Sequence, residues 1–155
     1  MIQNKIGSPL LCLLLLVSLM CLQGCKKSTA IKTDLVTGVV TMNGSPLAGA
    51  TVTFLPDGTG NTAVGTTDAS GKYTLQTMLG AADAGTTPGD YVVTISKKEN
   101  RPTGQQEWSE SAGEMVDIMS AHEQVPAKFT NKSSTPLKAT VVAGQANSFD
   151  FDVSN

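Results

Sequence analysis

The sequence is short of most of the groups that catalysis and cofactor binding draw on. Among 155 residues there is one histidine, His122, one arginine, Arg101, and one tryptophan, Trp108. Zinc takes several Cys, His or carboxylate ligands, and a single histidine with no cysteine beyond residue 25 serves it poorly. His122 stands beside Glu123, but Ser120 is two residues away, and residues two apart on a helix do not share a face. No catalytic residue, metal ligand set or cofactor site is therefore assigned. Charge is scarce as well, at 15% of residues. Without Lys5, ten basic and thirteen acidic side chains remain, a net charge of −3. No basic patch exists, which argues against a nucleic-acid partner. A membrane-spanning helix needs about 20 apolar residues, and the aliphatic run over residues 10–20 is shorter and broken by Cys12 and Ser18.

All three cysteines, Cys12, Cys21 and Cys25, fall in the first 25 residues. A polar start carrying Lys5, a short apolar core and a small residue before a cut make the layout of a secretory signal. Leu22-Gln23-Gly24-Cys25 resembles a bacterial lipobox, with an aliphatic residue three before the cysteine and a small one directly before it. The resemblance implies that residues 1–24 are removed, that Cys25 receives a diacylglycerol thioether, and that its new amino group is acylated. Cys12 and Cys21 are then discarded, and no thiol is left for an internal disulfide, a Cys-rich metal site or a nucleophile. A plain secretory signal cut elsewhere would instead leave Cys25 as a lone thiol. Two or more acyl chains anchor a protein stably, and Lys26 and Lys27 lie where anionic headgroups would attract them. With no Asp after Cys25, the resemblance to Gram-negative lipoproteins points to the outer membrane. Residues 25–155 suit one domain, whose core stands without disulfides because a chain of this size buries roughly two-thirds of its unfolded surface. Residues 26–34 form a polar tether reaching at most about 30 Å.

Beyond the tether the pattern is that of short strands. LVTGVVTM, residues 35–42, is rich in β-branched side chains and ends at Asn43-Gly44, a hairpin signal. Ala50, Val52 and Phe54 alternate with Thr51 and Thr53; Pro56-Asp57-Gly58 breaks the chain; residues 62–67 form a weaker strand. After the Asp68-Ala69-Ser70-Gly71 turn, Tyr73, Leu75 and Thr77 share a side. Tyr91, Val93 and Ile95 alternate after Pro88-Gly89. Leu137, Ala139 and Val141, then Phe149, Phe151 and Val153, point inward on the last two strands. One buried face and one wet face is the habit of antiparallel sheets. Seven such strands predict an all-β, antiparallel Greek-key sandwich over residues 35–155. Residues 98–127 lack a good strand and are expected to be a long loop insertion. Within it, Ser111 and Glu114 form a capping-box pair, and Met115, Ile118, Met119 and His122 recur at helical spacing until Pro126, which predicts a short helix.

VTGVVTMNGSPLAGATVTFLPDG, GTTDASGKYTL and TPGDYVVTIS together resemble the carboxypeptidase-regulatory-like domain, a transthyretin-like, Ig-like sandwich. VPAKFTNKSSTPLKATVVAGQANSFDFDV is similar to small bacterial lipoproteins built on that domain. The resemblance implies fold rather than activity. Transthyretin-like hydrolases of purine breakdown products depend on several histidines and an arginine, a set that His122 and Arg101 do not supply. Asp57, Asp68, Asp83 and Asp90 near predicted turns are the oxygen ligands available to calcium, without an EF-hand-like run. Trp108 has two readings. It packs over an open edge of the sandwich, or it is an exposed aromatic that contacts a sugar or a protein partner. The expected function is that of a lipid-anchored cell-envelope module with a non-catalytic structural or protein-interaction role. The alternative is carbohydrate or peptidoglycan binding through Trp108. The membrane, through Cys25, is the one partner named.

Overall fold

A computed structural model describes residues 32–78 and 84–155. Residues 1–31, on which the expected signal, Cys25 and most of the expected tether fall, and residues 79–83 with Asp83 lie outside the described residues. The fold is all-β, with strands in several largely antiparallel sheets and almost no helix.

The first strand, β1 (Val36–Met42), turns at Asn43-Gly44 into β2 (Ser45–Pro46). Both turn residues have positive φ, 52° and 75°, as a tight two-residue hairpin requires. Next come β3 (Thr51–Pro56) and β4 (Ala63–Thr66). The run from Lys72 that alternates Tyr73, Leu75 and Thr77 inward is one strand in pattern and two in bonding. Its first part, β5 (Lys72–Thr74), pairs with β1, and its second, β6 (Gln76–Thr77), pairs with β4. The chain crosses between sheets at Leu75, whose N–H donates to Val36 O at 2.9 Å. β7 (Gly89–Ser96) is the long central strand, and β10 (Lys138–Val141), β11 (Asn147–Ser148) and β12 (Phe151–Asp152) close the body.

One sheet has the order β10-β7-β3-β4-β6. In the other, β1 is flanked by β2 and β5 on one edge and by β11 and β12 on the opposite edge. The pairing of β1 with β11 and β12 is parallel, Val36 facing Asn147 and Val40 facing Phe151, so the expectation of a wholly antiparallel body is corrected there. Side-chain alternation reports which face is buried and is silent about neighbour direction.

The inner faces of the two sheets share one core. Val36 and Val40 come from one sheet; Val52, Phe54, Val93 and Ile95 come from the other; all six are fully buried. Phe54 is the hub, with ring centroids 5.7 Å from Tyr91, 5.9 Å from Phe149 and 6.2 Å from Phe151. Gly38 occupies an inward position of β1 because a Cβ there would collide with the Phe149 carbonyl and crowd the Tyr73 hydroxyl. At that point the parallel ladder is interrupted, and the Asp150 carboxylate accepts the Val39 N–H at 2.8 Å in place of a backbone carbonyl.

The segment expected to be a loop with a helix is a long hairpin. β8 (Lys98–Ser109) and β9 (Glu114–Glu123) pair antiparallel from Lys98–Glu123 to Ser109–Glu114. Ser111 is a turn residue and Glu114 opens β9, so the two make no helix cap: Gly113, at φ 71°, donates to Ser109 O at 2.8 Å, and the Ser109 and Ser111 hydroxyls lie 3.0 Å apart. Helix is confined, among the described residues, to α1 (Ala127–Thr130), which begins just after Pro126 and buries Phe129. Pro126, expected to stop a helix, therefore starts one, where its missing N–H costs nothing.

Candidate functional site

Two regions hold the polar groups that could act: the turns of the body and the β8–β9 arm. In the body they are committed to the fold. Asp68 Oδ1 accepts the Ser70 hydroxyl at 2.7 Å, the Ser70 N–H at 2.8 Å and the Lys72 N–H at 3.0 Å. The Ser70 hydroxyl foremost, then the backbone donors, hold its carboxyl below the usual range. The Tyr73 hydroxyl donates to Phe149 O at 2.8 Å; burial, with the Asp150 charge secondarily, raises its pKa well above that of a free phenol. Tyr91 donates to Thr87 O at 2.7 Å and meets the Thr86 and Thr87 hydroxyls. Asp90 Oδ1 accepts the Thr140 hydroxyl at 2.6 Å. No buried side-chain polar atom lacks a partner among the described residues. Asp57, Asp68 and Asp90 do not converge; the described residues hold no group of three or more His, Cys, Asp or Glu placed to share a metal ion.

His122 lies exposed on β9, opposite Glu99. Ser120 is opposite Arg101 on the same strand. Glu123, the histidine's neighbour, is structural: its Oε1 accepts the Lys97 N–H at 2.7 Å and the Val125 N–H at 3.1 Å, clamping the base of the arm.

The arm itself presents a different surface. Trp108 is 62% exposed and faces Met115, 51% exposed, across the hairpin. Met119, also 51% exposed, faces Pro102 on the same side. Between them Gln106 Nε2 donates to Asp117 Oδ1 at 2.9 Å. The reading of Trp108 as a cover over an edge of the sandwich is corrected by this exposure: it sits on the arm, in solvent. Six acidic and two basic side chains in residues 98–123 leave the arm a net charge of −4. Its ion pair is near the base, Arg101 with Glu99 at 3.5 Å, so the tip carries Glu107, Glu110 and Glu114 without a basic partner.

The sequence reading singled out Trp108 and passed over Met115 and Met119, which it placed on a helix stripe. The Met-x-Asp-x-Met alternation opposite a tryptophan is the signal that could have found them. A shallow open depression lies over Thr37, Val39, Lys72, Thr74, Ser148 and Asp150, but the Asp150 carboxylate there already serves the Val39 N–H.

No protein-family model matches the chain, and no curated protein sequence matches it. Among solved structures, a 9R-lipoxygenase from Cyanothece PCC8801 superposes with a TM-score of 0.34 at 15% identity, over 96% of this chain and 21% of that one. This chain spans about a fifth of that protein's length, and so loose a likeness carries no argument about fold or activity.

Proposed function

We propose that this chain is a lipid-anchored cell-envelope module with a non-catalytic, protein-interaction role. Its body is a carboxypeptidase-regulatory-like, seven-stranded Greek-key sandwich, and the β8–β9 arm is its contact surface. The observation that carries this reading is the exposed Trp108–Met115–Met119 face on an acidic arm that the body does not bury. Aromatic and Met side chains are enriched at protein interfaces, where their removal from water supplies the affinity. The lipobox resemblance at Leu22–Cys25 supplies the anchor, with a diacylglycerol and an N-acyl chain on Cys25 and the outer membrane as the location.

The test is photo-crosslinking in intact cells from a probe at position 108 or 115, beside a probe at exposed Ser70 on the body. Envelope-protein adducts from the arm and not from Ser70 are expected; their absence removes the role. The intact mass of membrane-extracted protein tests the anchor separately. Residues 25–155 plus a glyceryl group and two or three acyl chains are expected, and an unmodified mass in the soluble fraction overturns it.

A second reading is carbohydrate or peptidoglycan binding. It draws on the polar Gln106–Asp117 pair beside the exposed Trp108 ring, since sugars need hydrogen-bonding groups at the edge of an aromatic platform. Retention on insoluble glycans that drops in Trp108→Ala supports it. Equal background retention of both proteins removes it.

A further inference from the structure

The two edges of the arm are not alike. β8 has the features that keep a sheet edge from pairing: Lys98, Arg101 and Pro102, followed by a register shift in which four steps along β8 from Pro102 to Gln106 match two along β9. β9 carries acids alone as charges, Glu114, Asp117 and Glu123. Its ten residues, EMVDIMSAHE, contain no Lys, Arg, Pro or Gly, and among the described residues it pairs with β8 alone. An isolated two-stranded hairpin is marginally stable in water, and three or more strands with an apolar face are needed. The arm has the apolar face and lacks the strands.

We infer that the free edge of β9 pairs antiparallel with β9 of a second copy of this chain, about a two-fold axis at Ile118, making a four-stranded sheet. This rests on the interaction reading of the arm and names its partner. The choice of a second copy comes from the register. With Ile118 on the axis, Met115 faces Ala121, Val116 faces Ser120, and the Glu114 carboxylate faces the His122 imidazole at both ends. Centring on Asp117 sets Asp117 against Asp117. A slip to an axis between Ile118 and Met119 sets Glu114 against Glu123. Like charges directly opposite are destabilising in a ladder, so both alternatives are disfavoured. In the Ile118 register Met115 and Met119 of both copies share one face, bordered by the Trp108 of each copy, and Asp117 of each copy lies opposite Met119 of the other rather than opposite a like charge. Anchoring both copies in one membrane raises their effective concentration and supports pairing across a small interface.

The test uses the full chain in membranes. Ile118→Cys places two thiols at the axis, and mild oxidation is expected to trap a covalent dimer above the wild-type background, whereas Ser70→Cys gives background only. No dimer, or equal dimer from both positions, overturns the inference. Sedimentation of the detergent-extracted chain gives the second readout. Glu114→Lys, which alters two cross-strand pairs per dimer, is expected to weaken association about 2- to 30-fold, and Glu114→His combined with His122→Glu to restore it. Unchanged association in Glu114→Lys overturns the register. A monomer whose arm still crosslinks other envelope proteins overturns self-pairing and leaves the interaction role standing. A monomer with no arm-dependent contact overturns both.

Discussion

The body and the arm use the same alternation to opposite ends. On β3 and β7 the inward positions carry Val52, Phe54, Tyr91, Val93 and Ile95, sealed between two sheets. On β9 the equivalent alternation carries Met115, Asp117 and Met119, and it stays in solvent. Their acids differ too. Every glutamate of the chain lies in the arm, whereas aspartates fill the body. Asp34, Asp68, Asp150 and Asp152 each accept a backbone N–H, the short-range task for which a short carboxylate is suited. Of the arm's glutamates, Glu123 serves its base and Glu99 pairs with Arg101, while Glu107, Glu110 and Glu114 project charge into water. One region is organised around its own interior, and the other leaves Trp108, Met115 and Met119 in solvent. Stability should therefore be concentrated in the first and nearly absent from the second.

The largest expected effect breaks the body. Phe54→Ala removes the ring that meets Tyr91, Phe149 and Phe151 and should cost about 3–5 kcal/mol in urea unfolding. Tyr73→Phe leaves the Phe149 carbonyl without its hydroxyl donor. It should cost about 1–3 kcal/mol, with amide exchange accelerating over residues 147–152. A smaller effect appears only in acid. Because the folded carboxyl of Asp68 titrates below its ordinary value, its stabilisation is present above about pH 4 and is lost as pH falls through the lowered value. Asp68→Asn should accordingly flatten the decline in melting temperature below about pH 4; an unchanged acid slope would show that the turn contributes nothing to it. The smallest effect is in the arm. Trp108→Ala should change stability by no more than about 0.5 kcal/mol, and the wild-type tryptophan emission should be red-shifted and readily quenched by acrylamide. A loss of several kcal/mol at Trp108 would erase the distinction between the regions.

The strands of the body were legible because each carries its own signal. Ala50, Val52 and Phe54 announce a buried face without reference to any partner, and Asn43-Gly44 announces its turn. The split of residues 72–77 between two sheets and the parallel pairing of β1 were not legible, since both depend on which strand lies alongside. The arm was misread for a specific reason. Met115, Ile118 and Met119 fit one face of a helix, but a strand with apolar residues on both sides produces the same spacing, Met115 and Met119 on one face with Val116 and Ile118 on the other. The deciding element is β8, and KENRPTGQQEWS has no apolar alternation to declare it. Of the candidate site, Trp108 was visible as an aromatic out of place, and its exposure removes the edge-cover reading and leaves the contact reading as a proposal. Cys25 lies outside the described residues and rests on its lipobox alone.

The position of β1 also has a mechanical meaning. Residues 32–35 lead into this strand, which is hydrogen-bonded along both edges, to β2 and β5 on one side and to β11 and β12 on the other. A pull applied at the N-terminal end of β1 runs lengthwise down the strand, so the bonds on both edges are sheared together rather than opened one at a time as in a peeled edge strand. The arm, by contrast, leaves and re-enters the body at a single point, where Gln124 donates to Lys97 O at 2.8 Å.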